Sequence, residues 1–442
     1  MDDYRALADA LAADIAAGRL RPGARLPTQR RFARDRGVAV STASRVYGEL
    51  TRRGLVAGEV GRGTFVRAAP PAPGPALAEP RPSPVDLELN FPLLDGQAEL
   101  LAPALAGLLR PDALRAGLRV GDATGTGATR AAAAALLACA GWAPRAEHVL
   151  FTGNGRQAIA AAIGALVPVG GRIGAEALTY PVARTIATRL GVDVVPLPMD
   201  ADGLLPGAVR TAGRLDAVFV QPTLHNPLGT TMPVQRREQL AEVLAERDVP
   251  AVEDRIYSFL REEPPPLAAY APERTLVVDS LSKRVAPGCT LGFVVPPPAR
   301  YERARAAIRA GGWMAQTFAV EAATRWMADG VVARIQVDKR ADAARRQELV
   351  AQRLAGFAVH ADPAAYHCWW ELPAPWRAET FVAAAARRGI AVTPAAAYAA
   401  GAGHAPNAVR LALATPPLDA LGAALDVLAE LGRGAPGDDG TE

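Results

Sequence analysis

Seven prolines crowd residues 67 to 85, at Pro70, Pro71, Pro73, Pro75, Pro80, Pro82 and Pro84. Each removes an amide donor and fixes φ, so neither a helix nor a sheet ladder is expected there. The segment reads as an extended, semi-rigid linker that divides the 442-residue chain into a short head and a long body. The expected organisation is a head over 2–67, a linker over 68–85, a body over 86–430 and a disordered tail over 432–442. Half of the residues are apolar, enough for at least one large core and two or three domains.

Charge is divided along the same line. Residues 1–67 hold 13 Arg against 7 acidic residues, a balance of +6, whereas the rest carries 36 basic and 38 acidic residues, a balance of −2. A basic head on a near-neutral body points to a polyanionic partner for the head. No apolar run approaches the ~18–20 residues of a membrane span, and Met1-Asp2-Asp3-Tyr4 is acidic where a secretory signal is basic, so no membrane association and a cytoplasmic location are expected. Cys139, Cys289 and Cys368 lie far apart without ligand spacing. They read as buried thiols, with no disulfide framework and no metal site.

In the head, Leu7, Leu11 and Ile15 share one side of a helix from Tyr4 to Ala17, which Gly18 ends. Thr28 is the expected N-cap of a second helix through Asp35, closed by Gly37, and Ser41-Thr42 opens a third that runs to Arg53. Leu55-Val56-Ala57 and Gly63-Thr64-Phe65-Val66 then form a hairpin around a Gly-bounded tip. The pattern is a winged helix-turn-helix, whose second helix of the pair enters the major groove. Leu26-Pro27-Thr28-Gln29-Arg30-Arg31-Phe32-Ala33, Val46-Tyr47-Gly48-Glu49-Leu50 and Gly61-Arg62-Gly63-Thr64-Phe65-Val66 together resemble the GntR-type DNA-binding domain. That resemblance implies double-stranded operator DNA as a partner, contacted by Arg30, Ser41, Thr42, Arg45 and Arg62. Val40 departs from the family, which usually carries Arg there.

The body alternates Ala-rich helical stretches with short β-branched runs at Val149-Leu150-Phe151, Arg172-Ile173-Gly174, Val192 to Val195, Ala217 to Val220, Ala251-Val252 and Leu276-Val277-Val278. Such alternation predicts an α/β fold with a mostly parallel sheet and a ligand at the carboxyl ends of its strands. Four segments follow strands. Thr152-Gly153-Asn154-Gly155-Arg156 opens a helix whose amides can cradle a phosphate. Gln221 to Gly229 brings the Asn226 amide, Asp254 and Tyr257 supply a carboxylate and a phenol three residues apart, and Asp279-Ser280-Leu281-Ser282-Lys283-Arg284 brings an amine.

That amine stands out because the chain has 47 Arg and only two lysines. Guanidinium stays protonated, whereas a desolvated Lys can form a Schiff base, so Lys283 is the candidate for covalent chemistry. Lys339, set among Arg334, Asp338 and Arg340, reads as part of a solvated helix face.

An amine for an aldehyde, a carboxylate for a ring nitrogen, amide and phenol donors for a ring hydroxyl and a turn for a phosphate match the hydrogen-bonding groups of pyridoxal 5′-phosphate. The order Asn-Pro-x-Gly, Asp-x-x-Tyr, Ser-x-Ser-Lys resembles the fold type I aminotransferases over about residues 86–430. The resemblance implies a large domain on a mostly parallel sheet with a smaller C-terminal α+β domain. It implies that Lys283 forms the internal aldimine, that Asp254 keeps the pyridine nitrogen protonated, and that Asn226 and Tyr257 hold the phenolate oxygen. Ser280, Ser282, Arg284, Gly155 and Arg156 would surround the phosphate, Tyr180 would stack on the ring, and Arg410 would grip a substrate carboxylate. Ser280 also reads as a helix N-cap, Tyr180 as core, and His225 as a structural neighbour of Asn226. Thr290 stands where many relatives have a phosphate-binding Arg, for which Arg284 is the expected substitute; Val120 stands where many have a Tyr that reaches the partner's phosphate.

The joined head and body resemble the MocR family of transcriptional regulators. The resemblance implies a homodimeric, cofactor-dependent DNA-binding regulator that senses an amine or amino acid through external aldimine formation. An aminotransferase with a DNA-binding appendage is the alternative. A body kept only as a dimerisation scaffold is disfavoured by Lys283, Asp254 and Asn226.

Overall fold

The computed structural model describes residues 4–16, 19–20, 23–52, 55–59, 62–66, 83–401 and 405–436. The head contains α1 (Tyr4–Ala16), α2 (Gln29–Arg36), α3 (Val40–Arg52), β1 (Val56–Glu59) and β2 (Gly63–Val66), with the two strands paired antiparallel. Thr28 Oγ1 accepts from the Arg31 amide at the start of α2, and Gly37 closes it in the left-handed region at φ 65°. In α3, Ala43, Val46, Tyr47 and Leu50 recur at helical spacing and are buried against Leu11, Ile15 and Phe32. Tyr47 is fixed further by an edge-on contact with Phe32 at 5.5 Å and a hydroxyl bond to the Pro27 carbonyl at 2.6 Å.

The body carries a seven-stranded sheet. Its strands are β4 (Leu150–Thr152), β5 (Arg172–Glu176), β6 (Asp193–Leu197), β7 (Ala217–Val220), β8 (Ala251–Asp254), β9 (Thr275–Ser280) and β10 (Gly292–Val295), in the order β4-β10-β9-β8-β7-β5-β6. Only β10 runs antiparallel to its neighbours. Every residue of β7, β8 and β9 is buried, as a parallel sheet covered on both faces requires. On one face Phe219, Val252, Leu276 and Val278 pack against Ile159 and Ile163 of α4 (Gly155–Leu166). On the other, Val218, Val220 and Ala251 meet Leu240 and Leu244. Because β10 reverses, β4, β7, β8 and β9 all present their carboxyl ends at one edge.

From β9 the chain turns into the short helix α5 (Leu281–Arg284). The long helix α6 (Val331–Arg353) then leads into a smaller domain, with β11 (Ala358–Ala361), β12 (His367–Glu371), α7 (Ala378–Arg387), β13 (Ile390–Ala391), β14 (Thr393–Pro394), β15 (Ala408–Ala412) and α8 (Leu418–Arg433). An antiparallel sheet in the order β11-β12-β15-β14 packs under α7 and α8 around Trp370, Phe381 and Leu425. The expected large and small domains are both present.

Several expectations need correction. Val85, expected to end the linker, instead opens β3 (Val85–Asp86), which pairs with β13 in a short parallel ladder, because the last proline of the linker, Pro84, precedes it. The stretch 67–82 lies outside the described residues. Gly432 and Arg433, taken as tail, complete α8, and 437–442 lie outside the described residues. Cys368 is buried but Cys139 and Cys289 are only partly so. Lys339 is fully buried, not solvated: it shares the inner stripe of α6 with Gln336, Asp342, Ala343, Arg346 and Val350. Head and small domain meet where the Arg377 guanidinium lies 4.2 Å from the centre of the Phe65 ring.

Candidate functional site

A cavity of about 390 Å³ opens at the carboxyl edge shared by β4, β7, β8 and β9. Chain direction explains its lining: Gly155 and Arg156 follow β4, Asn226 follows β7, Asp254 ends β8 and Tyr257 follows it, and Ser280 ends β9 with Ser282 and Lys283 just beyond. Four sequence segments more than a hundred residues apart at their extremes thus converge at the topological position where open α/β sheets bind ligands.

The Lys283 amine donates to the Asn90 carbonyl and stands 3.4 Å from the centre of the Phe91 ring. Burial holds its pKa well below the ordinary 10.5, assisted by the positive charges of Arg410, Arg156 and Lys339 and opposed by Asp254. Burial thus favours the neutral amine, the nucleophilic form. Asp254 is pushed up to about 7 by burial, against the hydrogen bonds it accepts from the Ile256 amide at 3.0 Å and Gln221 Nε2 at 2.8 Å. Such a carboxyl is poised to ionise against a cationic ring nitrogen. The Tyr257 hydroxyl accepts from Asn90 Nδ2 at 3.0 Å, and burial raises its pKa. Asn226 Oδ1 is buried without a hydrogen-bond partner.

At the other end, Asn154 Oδ1 caps α4 by accepting from the Gln157 amide at 3.0 Å, which leaves the Gly155 and Arg156 end of the helix toward the cavity. A Cβ on Gly155 would come within 2.9 Å of Ser280 Oγ, so glycine is needed for this approach of backbone to hydroxyl. Ser280 Oγ accepts from the Ser282 amide, making it an N-cap of α5 that also lines the cavity. Ser282 Oγ and Thr290 Oγ1 lie 2.7 Å apart.

Arg284 is not brought to this group. It is buried and turned away, 2.5 Å from Asp279 Oδ2 and donating to Gln336 Oε1 at 2.7 Å. Asp279 and Gln336 hold its guanidinium, and Arg284 is not among the residues that line the cavity. The cation lining this end is Arg156. Tyr180 lines the cavity too, and Val120 is 94% exposed.

Arg410 lies on β15 and is nearly closed from solvent, with Nε donating to the Tyr398 hydroxyl at 2.5 Å and Nη2 to the Glu88 carbonyl at 2.8 Å. One side of its fork is thus already engaged. His225 Nε2 stands 3.2 Å from Glu176 Oε2, and its carbonyl is 2.9 Å from His367 Nε2. Burial lowers the His367 pKa to about 3. His225 belongs to a buried network behind Asn226. Asn90, Gln221 and Tyr398 escaped the sequence reading of site residues.

In the head, Arg30 on α2, Ser41 and Arg45 on α3 and Arg62 beside β2 are exposed, and Thr42 is partly so. The buried stripe of α3 forces Ser41, Ser44 and Arg45 outward together. Among the described residues no helix is long and apolar enough to cross a membrane, and no cluster of three or more His, Cys, Asp or Glu is placed to hold a metal.

The groups present fit pyridoxal 5′-phosphate: a glycine-lined helix start and two serines for a phosphate, a buried carboxyl for a ring nitrogen, the Asn226 amide N–H and the Tyr257 hydroxyl as donors for a ring oxygen, and one desolvated amine. Fold and site define a pyridoxal-phosphate protein of the fold type I class. The chain matches the family "Aminotransferase class I and II" over residues 83–428 and "Bacterial regulatory proteins, gntR family" over 3–66. It belongs to the aminotransferase class I and II family and, with its GntR head, has the MocR-type regulator architecture. It is 29% identical over 418 residues to an uncharacterized HTH-type transcriptional regulator, YdeF, of Bacillus subtilis, covering 93% of this chain and 90% of that one. It is 28% identical to the protein named "Probable rhizopine catabolism regulatory protein MocR" of Rhizobium meliloti, over 67% and 65% of the two chains. The body superposes on an archaeal alanine:glyoxylate aminotransferase with a TM-score of 0.71 at 20% identity, covering 78% of this chain and 90% of that one, a likeness that establishes the fold.

Proposed function

We propose that this chain is a cytoplasmic, homodimeric transcriptional regulator whose head, residues 2–67, binds operator DNA and whose body, residues 86–430, senses an amine or amino acid at the Lys283 cavity. The observation that carries the reading is the Lys283 amine, desolvated and sharing one cavity with Asp254, Asn226 and Tyr257, in a chain that also carries a basic winged helix-turn-helix. When bound, pyridoxal phosphate supplies an aldehyde that primary amines condense with and a ring that withdraws electrons.

The residues have separable roles. Lys283 Nζ would be the attachment point of the cofactor. Asp254, with Gln221 fixing its orientation, holds the proton on the ring nitrogen. Asn226 and Tyr257 hold the ring oxygen, and Asn90 orients Tyr257. Gly155, Arg156, Ser280 and Ser282 bind the phosphate, Tyr180 covers the ring, and Arg410 receives an effector carboxylate. In the head, Arg30, Ser41, Thr42, Arg45 and Arg62 face the DNA. The Arg377 contact with Phe65 supports a route by which the small domain reaches the wing.

The test is a screen of amines and amino acids for a change in the absorbance of the bound cofactor, repeated with DNA from the region upstream of the chain's own gene. An amine that alters both absorbance and DNA affinity supports the reading. A second reading, aminotransferase turnover, is favoured by the complete set of Lys283, Asp254, Asn226 and Tyr257 in one cavity. Sustained turnover with an amino donor and a 2-oxo acid, without any effect on DNA affinity, would establish that alternative.

A further inference from the structure

The second lysine of the chain reaches the first. From α6, Lys339 Nζ donates to the Lys283 carbonyl at 2.9 Å and to the Val285 carbonyl at 2.6 Å. These are backbone acceptors in the short segment that carries the reactive amine. Lys339 is 0% exposed. Its own helix is anchored beneath it, since the Tyr366 hydroxyl bonds both the Lys339 carbonyl at 2.8 Å and Asp342 Oδ2 at 3.0 Å, and Arg346 Nε meets Asp342 Oδ2 at 2.7 Å. Burial lowers the Lys339 pKa to about 7, with Asp342 opposing.

We infer that Lys339 is a positioning residue for Lys283: its ammonium fixes the backbone that aims the Lys283 side chain and adds a positive charge behind the reacting amine. The inference rests on the reading of Lys283 as the cofactor's attachment point. α5 is only four residues long, a single turn closed by the Val285 amide on the Leu281 carbonyl at 2.7 Å, and one turn alone is marginal without outside support. A compact ammonium with three donors serves two converging carbonyls in a closed space, whereas a planar guanidinium needs a wider and flatter one. This accounts for a lysine at a buried position of a chain that otherwise writes its cations as Arg.

Removing the ammonium has two consequences. The turn loses two charge-assisted hydrogen bonds, so cofactor affinity falls by about tenfold or more. The amine also loses one of the positive charges facing it; Arg410 from β15 and Arg156 from α4 remain, Asp254 from β8 opposes them, and the pH midpoint of the bound-cofactor absorbance rises.

The test compares full-length wild type, Lys339→Met and Lys339→Gln. Borohydride reduction with mass spectrometry locates the attached lysine, dialysis measures cofactor affinity, a pH titration follows absorbance, and thermal unfolding confirms that each variant is folded. Support is attachment at Lys283, weakened binding and a raised midpoint in the Met variant, and a Gln variant that regains part of the affinity through its amide donors but keeps the raised midpoint. If the Met variant does not fold, the raised midpoint of the Gln variant decides. Folded variants with wild-type affinity and midpoint overturn the inference while leaving Lys283 in place; attachment elsewhere in the wild type overturns both the inference and the reading beneath it.

Discussion

Arg284 Nη2 lies 2.5 Å from Asp279 Oδ2 in a buried pair, and this pairing keeps the arginine that adjoins Lys283 out of the cavity lining. Both partners are almost fully closed from water, and Gln336 satisfies a further guanidinium donor. Arg284→Met therefore leaves the Asp279 charge buried and unpaired and is expected to cost ~3–5 kcal/mol of stability, measured by urea unfolding. Arg156→Ala is expected to leave stability near wild type and to weaken cofactor binding by about tenfold, as one charge-assisted contact to a phosphate is lost. The opposite assignment of the two effects would place Arg284 at the phosphate.

Asp254 predicts a pH dependence with a definite sign. Its carboxyl titrates at about 7 in the folded chain instead of the ordinary 3.8. Between those values the folded state keeps a proton that the unfolded chain releases, so the stability of the cofactor-free protein falls as pH rises through this window and levels off above about 7. Asp254→Asn, which cannot ionise, is expected to flatten the profile and to lose the cofactor. Unfolding midpoints of cofactor-free wild type and variant, taken across the window, check both points; a wild-type profile that rises instead would contradict the buried neutral carboxyl.

Asn90 is expected to matter as much as the residues that the motifs display. Its Nδ2 orients the Tyr257 hydroxyl and its carbonyl receives the Lys283 amine. Asn90→Ala strands the buried hydroxyl at a cost of ~1–3 kcal/mol and is expected to shift the absorbance of the bound cofactor. An unaltered spectrum at full stability would reduce Asn90 to wall lining.

Much of the site was legible because its chemistry follows strand ends. Asn226, Asp254, Tyr257 and Lys283 each sit within a few residues of a β-branched run, and those runs became β7, β8 and β9. Long-range partners left weaker marks. Asn90 sits in an irregular segment 193 residues from Lys283, with no periodic pattern to place it. The charged sequence neighbours of Lys339 suggest a solvated face, whereas the apolar and amide residues at Val332, Gln336, Ala343 and Val350 trace the buried stripe at helical spacing. Adjacency to Lys283 suggests a phosphate role for Arg284, but its partner is Asp279, five residues earlier.

Arg410→Lys is expected to weaken the response to amino acids far more than to simple amines, because a single ammonium cannot reproduce a bidentate fork. Tyr398→Phe gives a second handle, since it releases the Nε edge of that fork. Absorbance titrations with matched amino acids and amines check both variants. Equal weakening toward the two ligand classes would make Arg410 a structural link between β15, Tyr398 and the Glu88 carbonyl.

In the head, Arg45→Ala is expected to cost ~1–3 kcal/mol and to relax sequence preference if the residue reads a base edge. Arg62→Ala is expected to weaken all sequences alike and to lower the salt dependence by about one ion if the residue meets a phosphate. Gel-shift or anisotropy titrations at several salt concentrations separate the two. If the triple alanine variant of Arg30, Arg45 and Arg62 bound the upstream DNA with unchanged affinity, this face of the head would not be the DNA-binding face.

The central claim, that chemistry at Lys283 is read out at the DNA, is tested most directly by one anisotropy measurement. Affinity for the upstream DNA is determined with and without an amine that changes the absorbance of the bound cofactor, for the full-length wild type and for Lys283→Ala. The account predicts a change in DNA affinity in the wild type and none in the variant. An equal response in both, or no response in a wild type whose cofactor absorbance has changed, would contradict it.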